Sequence, residues 1–182
     1  MRPREQESPN MARNIEIKAR AHQFDQLLAR AAALATEPPM IYRQLDFFYE
    51  VPNGRLKLRQ FDDNTPAELI FYQRDDRDGP KVSYYSRSPV TNPEAMHALL
   101  AQALNTRGIV SKERHVYNVG RTRIHLDRVD GLGDFIELEV LLGQDDDEAG
   151  GEKEAEKLFA QLGVSSADLV PVAYVDLLSE PA

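Results

Sequence analysis

Cysteine is absent from the 182 residues, which excludes disulfides and thiolate chemistry and is compatible with the cytosol. No apolar run approaches the length of a membrane span, and the first ten residues lack the hydrophobic stretch of a signal peptide. A soluble, cytoplasmic protein is expected. Cationic excess is also missing: the formal net charge is −8. A general coat for nucleic acid or anionic membrane is therefore excluded, because both surfaces ask for surplus Lys and Arg. A basic concavity for a compact anion stays open.

Several chemistries lack their residues. Gly131 and Gly133 mark a turn, with no Walker spacing and no following Lys-Ser/Thr. Asp145, Asp146, Asp147 and Glu148, followed by Gly150 and Gly151, have no calcium-loop pattern and read as a solvated loop. Ser83, Ser86 and Ser88 have no identifiable His-Asp partners, and His22, His97, His115 and His125 show no metal spacing. Of these histidines only His125 falls on a charged row. No internal repeat or low-complexity tract suggests a second domain. Residues 1–11 read as a disordered lead-in, with Met11 an equally good start, and the remainder as one domain over 12–180.

What the chain does have is a recurrent period of two. In Asn14-Ile15-Glu16-Ile17-Lys18-Ala19-Arg20 the odd positions are apolar and the even ones polar. The alternation returns in Arg55 to Arg59, Arg121 to Asp127 and Phe135 to Val140. Each such strand presents one apolar face and one row of charge. The strands expected are Asn14 to Arg20, Arg43 to Glu50, Arg55 to Phe61, Glu68 to Arg74, Lys81 to Arg87, Ile109 to Asn118, Arg121 to Arg128 and Phe135 to Leu142. Turn signals such as Pro52-Asn53-Gly54 and Asp78-Gly79-Pro80 separate neighbours and imply an antiparallel meander. Eight strands is also the number at which a sheet closes around one small ligand.

Three helices punctuate the strands, about Ala21 to Ala35, Pro93 to Leu104 and Glu152 to Leu162. Asn92 caps the second and Pro93 suits its first position, while Gly163 stops the third. Their apolar stripes are core, matched to the Ile, Leu and Val faces of the strands. Helices outside leave charge inside. The polar rows collect Glu16, Lys18, Arg20, Lys57, Arg59, Glu68, Arg74, Lys81, Lys112, Arg114, Arg121, Arg123, Asp127, Glu137 and Glu139, and cations outnumber acids there. Burying unpaired ions costs several kcal/mol each, roughly, so such a lumen must be wet or hold a ligand of matching charge. Arg and Lys suit phosphate oxygens, and Glu suits a hard divalent cation. An open sheet with its charged face in water is the alternative, and the pattern alone does not choose between them.

Ordered along the chain, these segments resemble the CYTH superfamily, the triphosphate tunnel metalloenzymes. Glu16-Ile17-Lys18 matches the end of its Glu-x-Glu-x-Lys signature, and the likeness runs through Gln44 to Tyr49, Gly54 to Arg59, Lys112-Glu113-Arg114 and the block from Arg121 to Val140. The resemblance implies an α+β fold, a closed eight-stranded antiparallel β-barrel with helices packed outside. It implies Mg or Mn held by Glu16, Glu137 and Glu139, and a triphosphate held by Lys57, Arg59, Arg74, Lys112 and Arg123. Lys81 and Arg114 are further substrate-binding candidates, each equally readable as structural. Lys18 would be catalytic, a phosphate ligand or proton acceptor at the tunnel floor, and Asp127 would hold a metal-bound water or pair with a lumen cation.

Two departures stand out. Asn14 replaces the first acid of the signature, leaving metal affinity to three carboxylates, and Phe48 stands where thiamine triphosphatases carry a tyrosine, with Tyr49 next door on the opposite face. The implied activity is class IV adenylyl cyclase-like conversion of ATP to cyclic AMP and pyrophosphate. The alternatives are an inorganic tripolyphosphatase or nucleoside triphosphatase, and a non-catalytic polyphosphate or nucleotide sensor. The expected partner is a triphosphate-containing small molecule, without nucleic acid or membrane, and with a homodimer left open. An apolar lipid-carrying bore fits poorly.

Overall fold

Strand β1 (Ala12–Arg20) hydrogen-bonds along both edges, and this closes the sheet. The computed structural model describes residues 11–179. The chain continues through α1 (Phe24–Leu34), β2 (Met40–Tyr49), β3 (Arg55–Phe61), β4 (Ala67–Arg74), β5 (Lys81–Val90), α2 (Pro93–Leu104), β6 (Thr106–Val119), β7 (Thr122–Val129), β8 (Gly133–Leu142), α3 (Glu148–Gln161) and α4 (Tyr174–Ser179). The barrel order is β1-β5-β4-β3-β2-β6-β7-β8, antiparallel at each junction. It is therefore two meanders, β2 to β5 and β6 to β8, joined by β1 on one side and by the β2–β6 pairing on the other. Most of the lead-in expected over 1–11 lies outside the described residues.

The alternation dictates the layering. Ile15, Ile17 and Ala19 point outward and join Ile124, Leu126, Ile136, Leu138 and Val140 beneath Leu27 and Ala31 of α1 and Ala155, Leu158 and Phe159 of α3. A smaller cluster seats Met96, Leu100 and Leu104 of α2 against Tyr49 and Leu58. Asn92 caps α2 by accepting from the Ala95 amide at 3.0 Å, with Pro93 opening the helix. Among the described residues no helix is long and apolar enough to cross a membrane.

α3 starts earlier than its sequence suggests. Asp147 accepts from the Ala149 and Gly150 amides, so the acidic run is a helix entrance, not wholly a loop. Gly151 lies inside the helix because a Cβ there would meet Ile15 Cγ1 at 2.8 Å and Leu142 Cδ2 at 2.9 Å. The sequence signal of paired glycines gave way to close packing. Gly54 answers a different need, at φ +62° in the β2–β3 turn.

The sequence gives no warning of α4. After a short 3-10 turn at Ser166–Asp168 the chain crosses one end of the barrel. The Val170 amide donates to the Lys18 carbonyl at 2.9 Å. Val170, Ala173, Tyr174 and Val175 pack with Phe48, Val110, Val129 and Phe135. Asp176 pairs with Arg55 at 2.8 Å and with Arg107. That end is stopped, and the other is the mouth.

Candidate active site within the barrel

Inward residues of all eight strands line a cavity of about 420 Å³, within the range usual for small-ligand sites. Glu16, Lys18, Lys57, Arg59, Arg74, Lys112, Arg114, Arg123, Glu137 and Glu139 all face it. Lys81, Arg20, Arg121 and Asp127, also members of the polar rows, do not line it. Lys81 is buried, but its ammonium donates to the carbonyls of Arg77 and Pro171 at 2.8 Å each, fastening the floor segment. Arg20 donates to the Leu132 carbonyl and lies over the Phe135 ring at 4.7 Å. Arg121 is outside, paired with Glu154 and Asp146.

Asp46 organises one wall. Arg59 grips it with two parallel bonds of 2.7 Å, and Lys57 and Lys112 each donate at 3.1 Å. Burial alone would raise the Asp46 carboxyl, but Arg59, Lys112 and Lys57 outweigh it and hold it well below the usual range. The ammonium groups respond oppositely. Burial pushes Lys57 down to about 8 and Lys112 down to about 7, with neighbouring guanidinium groups adding to the effect. Sequence reasoning missed Asp46 because one acid in Gln44-Leu45-Asp46-Phe47-Phe48-Tyr49 carries no visible pairing; its alternation with Gln44 and Phe48 was the available signal.

A second network crosses β6, β7 and β8. Arg114 donates to both Asp127 oxygens at 2.7 and 2.6 Å and lies 3.5 Å from Glu137. Tyr174 donates to Asp127 at 2.9 Å. Its ring lies 4.3 Å from the Lys18 ammonium and 5.7 Å from that of Lys112. Tyr174 is the second residue that sequence reasoning missed, since nothing local marks the last helix as a floor. Asp127 is thus paired with a lumen cation, Arg114. Burial pushes the Lys18 ammonium down, assisted by Arg74 and opposed by Glu137 and Glu16. Phe48 faces the cavity near the floor, whereas Tyr49 points outward and meets His97 Nδ1 at 2.8 Å. Tyr49 has no path into the bore.

The donor set fits a divalent cation. His125, Glu137 and Glu139 each offer a ligand atom, and the three atoms lie within 4.8 Å of one another. Glu16 and Glu139 are directly opposite across β1 and β8, and like charges so placed repel unless a cation intervenes. His125 Nδ1 is buried without a hydrogen-bond partner, 3.6 Å from Glu137 Oε1. Lys18 at 3.3 Å and Arg74, donating to Glu16 at 2.8 Å, balance these acids in the free protein. Burial would raise the Glu137 carboxyl, yet Lys18, His125 and Arg114 outweigh it and hold it well down. His125 lies in register with Glu137, so cross-strand pairing brings it into this group although its sequence position shows no metal spacing.

Comparison with known proteins agrees with this architecture. The family model described as "CYTH domain" matches residues 12–174. The Aeromonas hydrophila protein named adenylate cyclase CyaB is 30% identical over 107 residues, covering 56% of this chain and 54% of that protein. The matched stretch thus spans about half the length of this curated relative. Among solved structures, the PH1012 protein of Pyrococcus horikoshii OT3 superposes with a TM-score of 0.79 at 24% identity, over 90% of this chain and 98% of its own. HpAC1 of Hippeastrum, described as an adenylyl cyclase candidate with a dominant triphosphatase activity, gives 0.61 at 15%, over 90% and 91%. At these identities the two structures share the fold alone.

Proposed function

The chain belongs to the CYTH family, and from that premise and the chemistry of its bore we propose a divalent-metal-dependent enzyme acting on the triphosphate group of a nucleotide. The leading reaction is class IV adenylyl cyclase-like: the ribose 3′-oxygen attacks the α-phosphorus of ATP and pyrophosphate leaves. One observation carries the reading. Lys57, Arg59, Arg74, Lys112 and Arg114 are among the cations, and Glu16, Glu137 and Glu139 among the carboxylates, that converge on one cavity open at its mouth.

Each group has a task. Lys57, Arg59 and Lys112 exchange the Asp46 carboxylate for phosphate oxygens, with Arg123 closer to the mouth as a further contact. Arg74 and Arg114 hold their carboxylate partners and supply positive potential to the phosphates, because phosphoryl chemistry asks mainly for positioning and charge neutralisation. Glu16, Glu137 and Glu139, with His125, would hold Mg or Mn. When bound, that ion supplies Lewis-acid polarisation of phosphate oxygens. Lys18 sits beneath the belt, its ammonium weakened by burial, suited to a phosphate contact or a proton at Nζ. Lys81 anchors the floor rather than the ligand.

Two alternatives stay distinct. A tripolyphosphatase or nucleoside triphosphatase would use the same belt with water attacking a terminal phosphorus, and the activity described for HpAC1 favours keeping it. A non-catalytic sensor would bind without turnover. Purified protein given ATP or tripolyphosphate with Mn separates the three. Cyclic AMP with pyrophosphate is the result expected. Phosphate without cyclic AMP ends the cyclase reading, and tight binding with neither product ends the enzymatic one. The double variant Glu137→Gln and Glu139→Gln is expected to abolish turnover and metal dependence while retaining the fold. We propose a cytoplasmic protein whose partner is a triphosphate-containing small molecule.

A further inference from the structure

The last helix is held in one orientation by its neighbours. Leu169 bridges Ala19 of β1, and the Val170 amide donates to the Lys18 carbonyl, so the chain leaves the sheet beside Lys18. Pro171 has no amide to continue that pairing, and α4 begins at Tyr174. Six residues are too few to hold a helix in water. Tertiary contacts fix it instead: the Ala173 amide donates to Asp176 at 2.9 Å, and Asp176 is gripped by Arg55 and Arg107. Val175 is 1% exposed and lies against Gly108, where a Cβ would meet Val175 Cγ2 at 2.9 Å. With Val175 and Asp176 committed to β3 and β6, Tyr174 turns into the bore.

Tyr174 touches two of the charged groups at the floor at once. Its ring lies 4.3 Å from the Lys18 ammonium and packs against the Phe135 ring, 4.8 Å between centroids. Lys18 also donates to the Val172 carbonyl at 3.4 Å and lies 3.3 Å from Glu137. Both the main chain and the head group of Lys18 are thus tied to the C-terminal segment. The Tyr174 hydroxyl donates to Asp127 Oδ2 at 2.9 Å. Arg114 holds the same carboxylate through both oxygens, so Tyr174 and Arg114 share one buried acceptor.

A stopper would need bulk alone. Phenylalanine would fill the same space, yet this side chain carries a hydroxyl to a carboxylate with no exposure to solvent, and a charge-assisted bond of that kind orients both partners. Nor is the hydroxyl placed as a base. Its proton is committed to Asp127, and burial together with that carboxylate raises the phenol well above its usual value. What remains is orientation. The face of a ring favours an ammonium above it, and lysine, on a flexible four-carbon stem, gains most from being held.

We propose that Tyr174 is a positioning residue of the reaction: its ring fixes the Lys18 ammonium, and its hydroxyl, through Asp127, fixes the Arg114 guanidinium. The proposal rests on the triphosphate reading of the bore and adds to it a residue carried by the C-terminal segment. That segment then completes the site that it closes. Lys57, Arg59 and Lys112 would grip phosphate from the Asp46 wall, and Lys112, with its ammonium 5.7 Å from the Tyr174 ring, is held by Asp46 itself. Loss of Tyr174 therefore costs the chemical step more than it costs ground-state grip.

The test follows turnover of ATP or tripolyphosphate with Mn, beside calorimetric binding of imidotriphosphate, a turnover-resistant triphosphate. Tyr174→Phe keeps the ring and loses the hydroxyl, and is expected to lower kcat about tenfold, the scale of a hydrogen bond to a charged group. Tyr174→Leu loses both and should lower it about a hundredfold. In each variant KM and imidotriphosphate affinity should stay within about threefold of wild type, as expected when ground-state grip is spared. A second measurement needs no turnover. In protein carrying 13C-labelled lysine, the Lys18 side-chain resonance, assigned by its loss in Lys18→Arg, should show an upfield ring-current shift that persists in Tyr174→Phe and vanishes in Tyr174→Leu. A Tyr174→Phe kcat equal to that of wild type, a Lys18 resonance blind to Tyr174→Leu, or affinity falling as far as kcat overturns the proposal while sparing the triphosphate site. Wild type that binds imidotriphosphate but turns over neither substrate ends the enzymatic reading and this proposal with it. Wild type that does not bind it at all overturns the triphosphate reading as well.

Discussion

Arg59 holds Asp46 through two parallel bonds of 2.7 Å inside the charged bore. The carboxylate is 1% exposed and shared with Lys57 and Lys112. On the proposed reading it is an internal substitute for phosphate, keeping three cations together until the ligand arrives. Asp46→Asn leaves those cations buried without their counter-ion, and removing one partner from such a cluster costs on the order of 3 kcal/mol. The free variant should melt well below wild type. Saturating imidotriphosphate should recover most of the difference, since the added anion restores the missing charge; a melting point unaffected by the substitution would contradict this role.

Lys112 at about 7 and Lys57 at about 8 make phosphate binding depend on pH. The sign follows from which form binds. Raising pH removes ammonium protons, so triphosphate affinity should be highest below about pH 7 and decline toward pH 9. Near pH 8 binding should draw protons from solution, seen as a dependence of calorimetric heat on the buffer. Stability of the free protein moves the other way. The unfolded chain keeps these protons up to the ordinary lysine value of 10.5 while the folded one has released them, so these groups add stability as pH climbs from about 7 toward 10.5. Uniform binding heats across buffers would count against protonation-linked capture.

His125 gives the candidate metal site a nitrogen beside its carboxylates. Imidazole is accepted more readily by first-row transition ions, Mn the least of them, than by Mg, which prefers oxygen alone. Protein loaded with Mn should show nitrogen coupling in pulsed electron paramagnetic resonance, absent in His125→Asp. That variant should also bind Mg better relative to Mn. An all-oxygen spectrum from wild type would remove His125 from the ligand set.

Gly150 and Gly151 are adjacent in α3 and should respond oppositely to alanine. At Gly151 the new methyl group meets Ile15 and Leu142 inside 3 Å, and overpacking of this kind costs about 1–3 kcal/mol. At Gly150 the nearest atom is Asp147 Oδ2 at 3.7 Å, so helix propensity prevails with a gain of up to about 1 kcal/mol. Chemical denaturation of both variants checks the pair, and neither change should alter triphosphate affinity.

The strands were legible because each has one buried and one lumenal face, and a period of two records that directly. The charged rows named the belt for the same reason. Closure was not legible from alternation: it depends on β1 pairing with both β5 and β8, contacts between distant segments that leave no local mark. Arg121 shared the strand rhythm yet lies outside with Glu154, and Lys81 kept the inward parity but ended on backbone carbonyls. Parity assigns a face, not a partner. Tyr174 and Asp46 escaped notice because their importance comes wholly from neighbours supplied by other strands.

Among the described residues, the segment from Val170 to Ser179 that stops one end of the barrel leaves a cul-de-sac with a single doorway. Traffic through it is last in, first out. The proposed nucleotide, entering tail first, would have its nucleoside end nearest the exit, so that after cleavage the outer fragment would depart before the inner one could follow. In the proposed cyclase reaction pyrophosphate, lodged deepest among the lysines and arginines, would be the final product to leave, and its accumulation in solution would throttle each new cycle.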